Sequence, residues 1–389
     1  MYQYEKTHPW ITFSLDLEKA SYNLWLLMGE AQSKCEQIAG VPLRPDISAD
    51  FQRLYLAKGI LATSAIEGNT LTEREILERI EGKKNLPQSK EYLGQEIDNL
   101  LEAYEVISNE IIDSNGPLKF SVERIKKYNR MILNKLTLDD GVIPGEIRTY
   151  SVGVGSYRGV PFQDCEYLLQ QLCGFLNDDK YQNIFHDYKI ALGLIKAIMA
   201  HIYLAWIHPF GDGNGRTARL IEYQMLLEAG IAKPVANLLS NHYNLTRMEY
   251  YHQLEQTTRK GDVFPFLIYA LKGFIDGLKI QIDEIRKQQL DITWRSYIQR
   301  SFQTMIKKVD NRKRIVLLEL SKYDGFINIR EIRELTPKTA QLYFHKTDKT
   351  ISRDLHSLEK MELIEVTSEG VRVRKENILA FMPLRKKHY

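Results

Sequence analysis

HPFGDGNGRTAR, residues 208–219, is the densest group of chemically useful side chains in this 389-residue sequence. An apolar stretch with helical spacing runs into His208, and Pro209 makes its continuation as a helix unfavourable. Three glycines within five residues let the backbone adopt positive φ angles and approach a ligand closely. Because a new helix is predicted to begin near Arg216, the segment is predicted to be a glycine-rich turn between two helices.

The polar side chains of this turn suit phosphate chemistry. N–H groups at the start of a helix form an anion site, and Arg216 and Arg219 lie three residues apart, so both can point at one anion. Asp212 offers the hard oxygen ligand that Mg2+ prefers beside phosphates. His208 can act as a general base, because its unperturbed pKa of ~6.5 is close to physiological pH.

The first 290 residues are otherwise predicted to be almost entirely helical. Apolar spacing of three and four residues predicts helices over 51–66, 91–107, 121–136, 165–177, 187–207, 216–228, 247–259 and 263–286. Gly68 and Asn69 supply a stop for the first of them. Residues 148–162, RTYSVGVGSYRGVPF, differ: their alternating valines and three glycines predict a short β-hairpin or flap, with an irregular surface loop as the alternative.

The last quarter of the chain differs in element order and in charge. A long polar helix or linker is predicted over 279–313, then helices over 312–321, 327–334 and 350–361 and strands over 363–366 and 371–374. This is the order of a winged helix-turn-helix. Residues 291–389 hold 21 Lys and Arg against 13 Asp and Glu, whereas the first 290 hold 32 against 37. The asymmetry predicts a separate module with its own partner.

Composition excludes several classes of protein. A hydrophobic fraction of 44% and a charged fraction of 26% are ordinary globular values, which argues against wholesale disorder. No apolar run approaches the ~20 residues of a spanning helix without interruption, and the N-terminus lacks the features of a signal peptide. Cys35, Cys165 and Cys173 have no CxxC spacing and are predicted to be reduced thiols. We therefore expect a cytoplasmic protein with no membrane partner.

His201 lies two helical turns before His208, which could suggest a metal pair. The spacing separates the two residues by roughly 10 Å along a helix, too far for one ion. We interpret His201 as a hydrogen-bonded core histidine.

The segment 208–219 resembles the signature of the Fic family, HPFx[D/E]GNGRxxR, and matches it at every defined position. The resemblance extends over most of the first 290 residues and includes PGEIR at 144–148 and GDVFPF at 261–266. It implies a mainly α fold, a Fic-type helical bundle with a small β-hairpin flap, joined here to a C-terminal winged helix-turn-helix domain. The predicted domains are an N-terminal helical region (1–115), a Fic catalytic core (116–290) and a linker helix with the winged-helix domain (291–389).

The resemblance also implies an activity, the transfer of AMP from ATP to a Ser, Thr or Tyr hydroxyl of a target protein with release of pyrophosphate. His208 would take the hydroxyl proton, and Asp212 would hold Mg2+ between the α- and β-phosphates. The anion hole would consist of Asn214 and the backbone amides of Gly213 and Gly215. Arg216 would contact the phosphates, and Arg219 would bind the γ-phosphate.

Two further parts of the site follow from the resemblance. The flap at Val152, Gly153 and Val154 would align a target segment by main-chain pairing. Tyr250 and Tyr251 align with a paired aromatic that follows the signature in relatives and could hold adenine. The alternative for these tyrosines is that they belong to the core.

Residues 63–68, TSAIEG, match the inhibitory motif of the family, [S/T]xxxE[G/N]. Thr63 and Glu67 lie on one face of a helix that ends near Gly68. The resemblance implies that Glu67 pairs with Arg219 and withholds its guanidinium from the γ-phosphate. The alternative is an ordinary helix end, with Glu67 in a surface salt bridge that contributes little.

The predicted helix at 347–361 carries side chains that could contact phosphates or bases, and the following hairpin carries basic residues suited to a wing. They are Lys349, Thr350, Ser352, Arg353 and His356 on the helix, and Arg372, Arg374 and Lys375 on the hairpin. The same elements carry acidic residues that oppose DNA binding, namely Asp354, Glu359, Glu362, Glu365 and Glu369. DNA binding and protein interaction both stay open.

Three other functions stay open. The chain could be a transcription regulator that binds DNA and senses a nucleotide through a Fic domain without catalysis. It could remove AMP from modified targets, with Glu67 positioning water. It could also transfer a phosphate or a different nucleotide. Self-modification stays open as well, and a homodimer is expected from the family.

Overall fold

The computed structural model describes residues 2–83, 86–155, 157–178, 186–305 and 307–379, and 68% of the chain is helical. The helices are α1 (Tyr4–Thr7), α2 (Tyr22–Ile38), α3 (Pro45–Ile66), α4 (Glu73–Ile80), α5 (Glu91–Asp113), α6 (Val122–Ile132), α7 (Cys165–Asn177), α8 (Lys189–Ile207), α9 (Asn214–Glu228), α10 (Lys233–Ala236), α11 (Leu238–Leu245), α12 (Arg247–Lys260), α13 (Phe264–Ser301), α14 (Lys308–Leu320), α15 (Pro337–Tyr343) and α16 (Asp348–Lys360). The strands are β1 (Gly153–Val154), β2 (Tyr157–Arg158), β3 (Ile364–Thr367) and β4 (Gly370–Val373). The predicted mainly α class is confirmed.

The chain divides into two compact units, residues 1–282 and 283–389. The predicted helix at 263–286 and the first part of the linker at 279–313 belong to one helix, α13, which continues to Ser301. The predicted three-part division, with limits after residues 115 and 290, stays a prediction.

Helices α8 and α9 form the centre of the first unit. Helix α8 is long and apolar enough to cross a membrane by length and composition, contrary to the sequence expectation, but 83% of its apolar 18-residue stretch is buried inside the protein. Its side chains therefore serve as the hydrophobic core. Gly193 of α8 permits close packing, because a Cβ there would lie 2.5 Å from the Cβ of Ala229.

Helices from the N-terminal part of the chain surround this pair. Helix α2 packs on α8, α5 packs on α6 and α9, and α3 packs on α11. Helix α3 begins with Pro45 in its first turn and ends at Ile66, where Gly68 adopts a φ of 101°. The predicted stop at Gly68 is confirmed, and the helix extends further toward its N-terminus than the predicted 51–66.

Besides the short α1 and α10, three of the described helices were absent from the sequence prediction: α2, α4 and α11. Helix α4 carried a readable signal, since Thr72 and Glu75 form a reciprocal capping box. Helices α2 and α11 lack such a box, and each leaves large apolar side chains exposed, among them Leu26 and Leu245. Exposed apolar side chains weaken the one-sided pattern from which a helix is predicted.

The predicted hairpin is present. Strands β1 and β2 pair antiparallel, with Gly153 opposite Arg158 and Val154 opposite Tyr157. The N–H of Gly159 donates to the carbonyl of Val152 at 3.1 Å and closes the base of the hairpin. The alternative of an irregular loop is wrong.

The second unit contains three helices followed by the β3–β4 hairpin, in the predicted order. The predicted second helix at 327–334 is wrong, because Ile327 bridges to Val371 and only a 3-10 turn follows. The second helix begins instead at Pro337, where Thr336 caps the N-terminus. The hairpin, Trp294 of α13 and the faces of α14 to α16 share one hydrophobic core.

The three cysteines are buried and form no disulfide, in keeping with the predicted free thiols. Burial is the main cause that raises the thiol pKa values of Cys35 and Cys173 to about 12 and that of Cys165 to about 11. His201 is fully buried, with its Nε2 2.8 Å from the Tyr250 hydroxyl, which confirms the interpretation of a core histidine.

Candidate active site

A cavity of about 910 Å³ collects most of the predicted site residues. The turn after α8, the end of α3, the flap and one face of α12 line it. The predicted site residues on its walls are Glu67, Val152, Gly153, His208, Asp212, Gly213, Asn214, Gly215, Tyr250 and Tyr251. Residues more than 180 positions apart in sequence thus meet around one space.

Two residues with positive φ angles and the side chain of Asn214 determine the shape of the turn at 208–213. His208 follows the last residue of α8 at a φ of 48°, and Gly213 precedes α9 at a φ of 75°. The Asn214 amide accepts from the N–H of Phe210 at 2.9 Å and donates to its carbonyl at 2.8 Å. The Asn214 side chain therefore closes the turn, and the anion-binding groups left at this position are main-chain N–H groups in the first turn of α9.

His208 is half-buried at the mouth of this turn. Burial, followed by the nearby Arg148 guanidinium, lowers the pKa of the imidazole to about 4. An imidazole with such a pKa is neutral at physiological pH and can accept a proton.

Asp212 and Arg216 interact across the first turn of α9. The Arg216 Nη2 atom lies 3.1 Å from both carboxylate oxygens of Asp212, and its Nη1 atom donates to Glu96 at 2.7 Å. Glu96 is buried and also accepts from the Asn69 amide at 2.8 Å. Arg216 is therefore held in place by a carboxylate that lies outside the signature.

Glu67 and Arg219 form the predicted pair. Arg219 Nη2 donates to Glu67 at 2.6 Å and to the carbonyl of Thr63 at 3.1 Å. Only 1% of the Arg219 side chain is exposed, against 30% of that of Glu67. Burial works against both charges, but their attraction outweighs it, so the pKa of Glu67 is lowered and that of Arg219 is raised.

The surroundings of this pair are specific. A Cβ at Gly215 would lie 2.5 Å from the Glu67 carboxylate, so glycine is needed there while the pair is formed. Among the described residues, the Nε and Nη1 atoms of Arg219 have no hydrogen-bond partner, and neither does the buried Thr63 hydroxyl. Arg219 therefore has two buried nitrogen atoms without a hydrogen-bond partner in the described part of the chain.

The two predicted adenine-pocket tyrosines have different surroundings. Tyr250 is buried, stacks on Tyr243 and contacts His201 through its hydroxyl. Tyr251 is 41% exposed, and its hydroxyl donates to the carbonyl of Ile66 at 3.3 Å. Tyr250 is a core residue with one edge on the cavity, whereas Tyr251 lies at its rim beside the end of α3.

The comparisons with known proteins agree with this geometry. The sequence model of the Fic/DOC family matches residues 119–226, which include the flap and the whole turn. The chain contains a Fic domain. The Glu67 motif, Glu96 and the two tyrosines lie outside the matched residues.

Named relatives of the Fic domain are protein adenylyltransferases. The chain is 30% identical over 225 residues to protein adenylyltransferase Fic of Drosophila willistoni, covering 56% of this chain and 39% of the relative. It is 30% identical over 233 residues to protein adenylyltransferase fic-1 of Caenorhabditis elegans, covering 57% and 42%. The chain thus spans about two fifths of the length of these curated relatives.

Solved structures share the fold. A Fic family protein from Desulfovibrio desulfuricans matches with a TM-score of 0.55 and 18% identity, over 94% of this chain and 98% of that one. Residues 134–508 of Fic-1 from C. elegans match with a TM-score of 0.55 and 23% identity, over 68% and 73%.

Sequence reasoning missed two charged residues that organise the Fic domain. Glu96 holds Arg216, and Arg148 bonds to the carbonyl of His208 at 2.8 Å. Arg148 lies in the PGEIR run, and the family resemblance of that run is the signal in the sequence that points to it. Glu96 sits one turn after the start of α5, and nothing in its sequence neighbourhood points to Arg216.

Proposed function

We propose that this protein is a protein adenylyltransferase that transfers AMP from ATP to a Ser, Thr or Tyr hydroxyl of a target protein. One observation carries the proposal: the cavity joins a neutral histidine, a helix N-terminus and the edge of a flap, and its wall residue Glu67 is bonded to a buried arginine, Arg219, that has further unpartnered donors among the described residues. The identity with adenylyltransferases, about 30% over more than half of this chain, supports it.

The transfer assigns a task to each group. His208 accepts the proton as the hydroxyl oxygen attacks the α-phosphorus, and the bond from that phosphorus to the β-phosphate oxygen breaks to release pyrophosphate. N–H groups in the first turn of α9 and Arg216 stabilise the charge that spreads over the phosphate oxygens. The flap at Val152, Gly153 and Val154 would align an extended target segment by main-chain pairing.

Asp212 suits the proposed Mg2+. Among the described residues no group of three or more His, Cys, Asp or Glu could hold a metal ion, so the ion would bind through one carboxylate, phosphate oxygens and water. The Asp212 side chain is 46% exposed and borders the cavity, which leaves room for such ligands. When bound, Mg2+ supplies positive charge to the phosphates.

In the resting protein, Glu67 restrains the reaction. Its carboxylate occupies one Arg219 donor at 2.6 Å and would repel a terminal phosphate placed there. Removing the carboxylate should therefore permit productive binding of ATP.

The test uses ATP labelled on the α- or the γ-phosphate, with Mg2+ and a cell lysate. The wild type, Glu67→Gly and Glu67→Gly/His208→Ala are compared, with Glu255→Gly as a control that removes a cavity carboxylate paired with Arg259 rather than Arg219. Incorporation of α-label alone, strong in Glu67→Gly and lost with His208, is the expected result. Transfer of γ-label would mean phosphotransfer, and no transfer of either label would reject the proposal.

AMP removal uses the same residues and has its own assay. If Glu67 positions water, the wild type should release AMP from a previously modified target, and Glu67→Gly should fail to do so. The expected homodimer is tested by sedimentation over a range of protein concentrations.

A second candidate activity is duplex DNA binding by the second unit, which we propose from the surface of α16. Lys349, Ser352, Arg353 and His356 are all exposed on this helix. Asp354, which counted against DNA binding in the sequence, is buried, and both its oxygens are paired with Arg312.

The hairpin supports DNA binding less well. Arg372 pairs with Glu365 and Glu376, and Lys375 pairs with Asp291. In a mobility-shift assay at low salt, Lys349→Gln/Arg353→Gln should weaken binding and reduce the salt slope by about 2, because each cation would contact one phosphate. Lys322→Gln, on another surface and paired with Glu319, is the control. No shift by the wild type would reject DNA binding.

A further inference from the structure

The Arg148 guanidinium is buried, and among the described residues its hydrogen bonds go only to main-chain carbonyls. Nε donates to His208 at 2.8 Å and Nη1 to Tyr150 at 2.7 Å, while Nη2 donates to Val160 at 2.5 Å and to Ile207 at 3.5 Å. Its own N–H donates to the carbonyl of Pro209 at 3.0 Å. Among the described residues no carboxylate forms an ion pair with it. Arg148 therefore binds to the main chain of the protein rather than to another side chain of the described residues.

A buried guanidinium without a carboxylate partner is costly unless its donors are satisfied. Here the carbonyls of Ile207 and His208 come from the C-terminal end of α8, where the helix dipole is negative and favours a cation. The other two carbonyls come from the entry and the exit of the flap. The planar guanidinium of Arg148 therefore joins both ends of the flap to the turn that carries His208.

The His208 backbone needs such support. Its φ of 48° is uncommon for a residue with a Cβ and persists only where surrounding contacts enforce it. The flap also runs close to this residue, since a Cβ at Gly159 would lie 3.2 Å from the His208 Cβ and 3.0 Å from Arg148.

We propose that Arg148 is a positioning residue that fixes the His208 main chain and both ends of the flap as one unit, so that the base and a docked target segment keep a set separation. This inference rests on the proposed adenylyl transfer for its kinetic consequence, but its structural part does not. Effective proton abstraction requires the reacting atoms to be held closely, and a misplacement of 1 Å can reduce a rate about a hundredfold.

The charge of Arg148 has a second consequence at the imidazole. Arg148 acts with burial to keep His208 neutral, whereas Glu67 from the end of α3 and Asp212 from the turn act in the opposite direction. The cavity wall on α12 faces the same space with the ion pair of Glu255 and Arg259. Loss of the Arg148 charge should therefore move the His208 titration upward, toward ~6.5.

The experiment compares Arg148→Lys and Arg148→Gln in the Glu67→Gly protein. Lysine keeps the positive charge but loses the several hydrogen bonds that the planar guanidinium makes, whereas glutamine loses both the charge and these bonds. For both variants we expect at least a tenfold loss in kcat/KM for the target, with ATP affinity changed less than threefold, because Arg148 does not line the cavity. The acid limb of the pH profile should move upward in Arg148→Gln and stay in place in Arg148→Lys. Arg74→Gln removes from α4 an exposed arginine that pairs with Glu78 and lies outside the flap and the cavity walls, and it should leave every value unchanged.

An NMR titration of the His208 imidazole in the same proteins gives a readout that does not need activity. If Glu67→Gly transfers no AMP but the midpoint rises in Arg148→Gln, the proposed function fails and the positioning role stands. The inference would be overturned if Arg148→Lys had the same kcat/KM as the Glu67→Gly parent. It would also be overturned if the His208 titration midpoint did not move in Arg148→Gln. Circular dichroism and ATP binding verify that each variant is folded. If Arg148→Gln does not fold, Arg148→Lys provides the test.

Discussion

Removing the Glu67 carboxylate should tighten the binding of ATP more than that of ADP. The Glu67→Ala change takes from Arg219 the one carboxylate that pairs with it among the described residues, at 2.6 Å, and leaves the Thr63 carbonyl at 3.1 Å. Alanine is preferred to glycine here because it removes the side chain without loosening the end of α3. Since a γ-phosphate would need the same guanidinium, the resting pair and the nucleotide compete.

The size of the effect follows from the burial of the pair. A hydrogen bond to a charged group contributes about 1.5–3 kcal/mol. The Glu67 side chain is 30% exposed, which places the pair near the lower limit, about 1.5 kcal/mol, or about tenfold in affinity. ATP affinity should rise at least by that factor, because phosphate repulsion is also relieved. ADP lacks the γ-phosphate and should change less than threefold.

Isothermal titration calorimetry with a non-hydrolysable ATP analogue and with ADP measures both values. Glu255→Ala removes the same charge from another wall of the cavity, where the carboxylate pairs with the exposed Arg259, and controls for net charge. Equal gains for the ATP analogue and ADP, or an equal gain in Glu255→Ala, would refute competition for Arg219.

Three further predictions concern pH, thiols and the second unit. The pKa of His208 is lowered to about 4, so the imidazole is neutral above that pH. The rate of AMP transfer by Glu67→Gly should therefore stay level from pH 8 to about 5 and fall at lower pH. A midpoint near ~6.5 in the pH–rate profile would contradict this prediction. Iodoacetamide at pH 8 should leave the native protein unlabelled and modify three thiols after denaturation, since burial raises the pKa of Cys35, Cys165 and Cys173. Asp354→Asn should lower the free energy of unfolding of the second unit by about 3 kcal/mol, because it disrupts a buried bidentate ion pair with Arg312. Differential scanning calorimetry of the full chain measures this free energy, and Glu369→Gln, a change at an exposed residue, is the control.

The signature turn could be predicted from sequence because its chemistry is local. Pro209, the glycines and the change of helix lie within twelve residues, and their conformations depend on neighbouring atoms. The stop at Gly68 and the flap hairpin were predictable for the same reason, since each depends on backbone freedom at particular residues. The wrong helix at 327–334 shows the limit: a tertiary bridge between Ile327 and Val371 overrides a helical spacing.

The supporting contacts could not be predicted in this way. Arg148 reaches Ile207 and His208 across some 60 residues, and Glu96 reaches Arg216 across 120. No periodicity in a single sequence encodes which of 50 acidic residues faces a given arginine. The anion-hole role of Asn214 follows from the resemblance and stays a prediction, whereas the bonds of its side chain to the main chain of Phe210 could not be predicted from spacing.

Both arginines of the signature are held by carboxylates from the N-terminal helices, but the two contacts differ in kind. Glu96 is buried, and its second oxygen is bonded to the Asn69 amide, which also donates to the carbonyl of Leu93. Moving Glu96 would therefore leave several buried groups unpaired. Glu67 faces the cavity, is partly exposed and bonds through one oxygen to one guanidinium nitrogen. A phosphate can replace the contact to Arg219 far more easily than the contact to Arg216. In the proposed reaction, this difference would let the same pair of helices keep Arg216 in place while a nucleotide competes with Glu67 for Arg219.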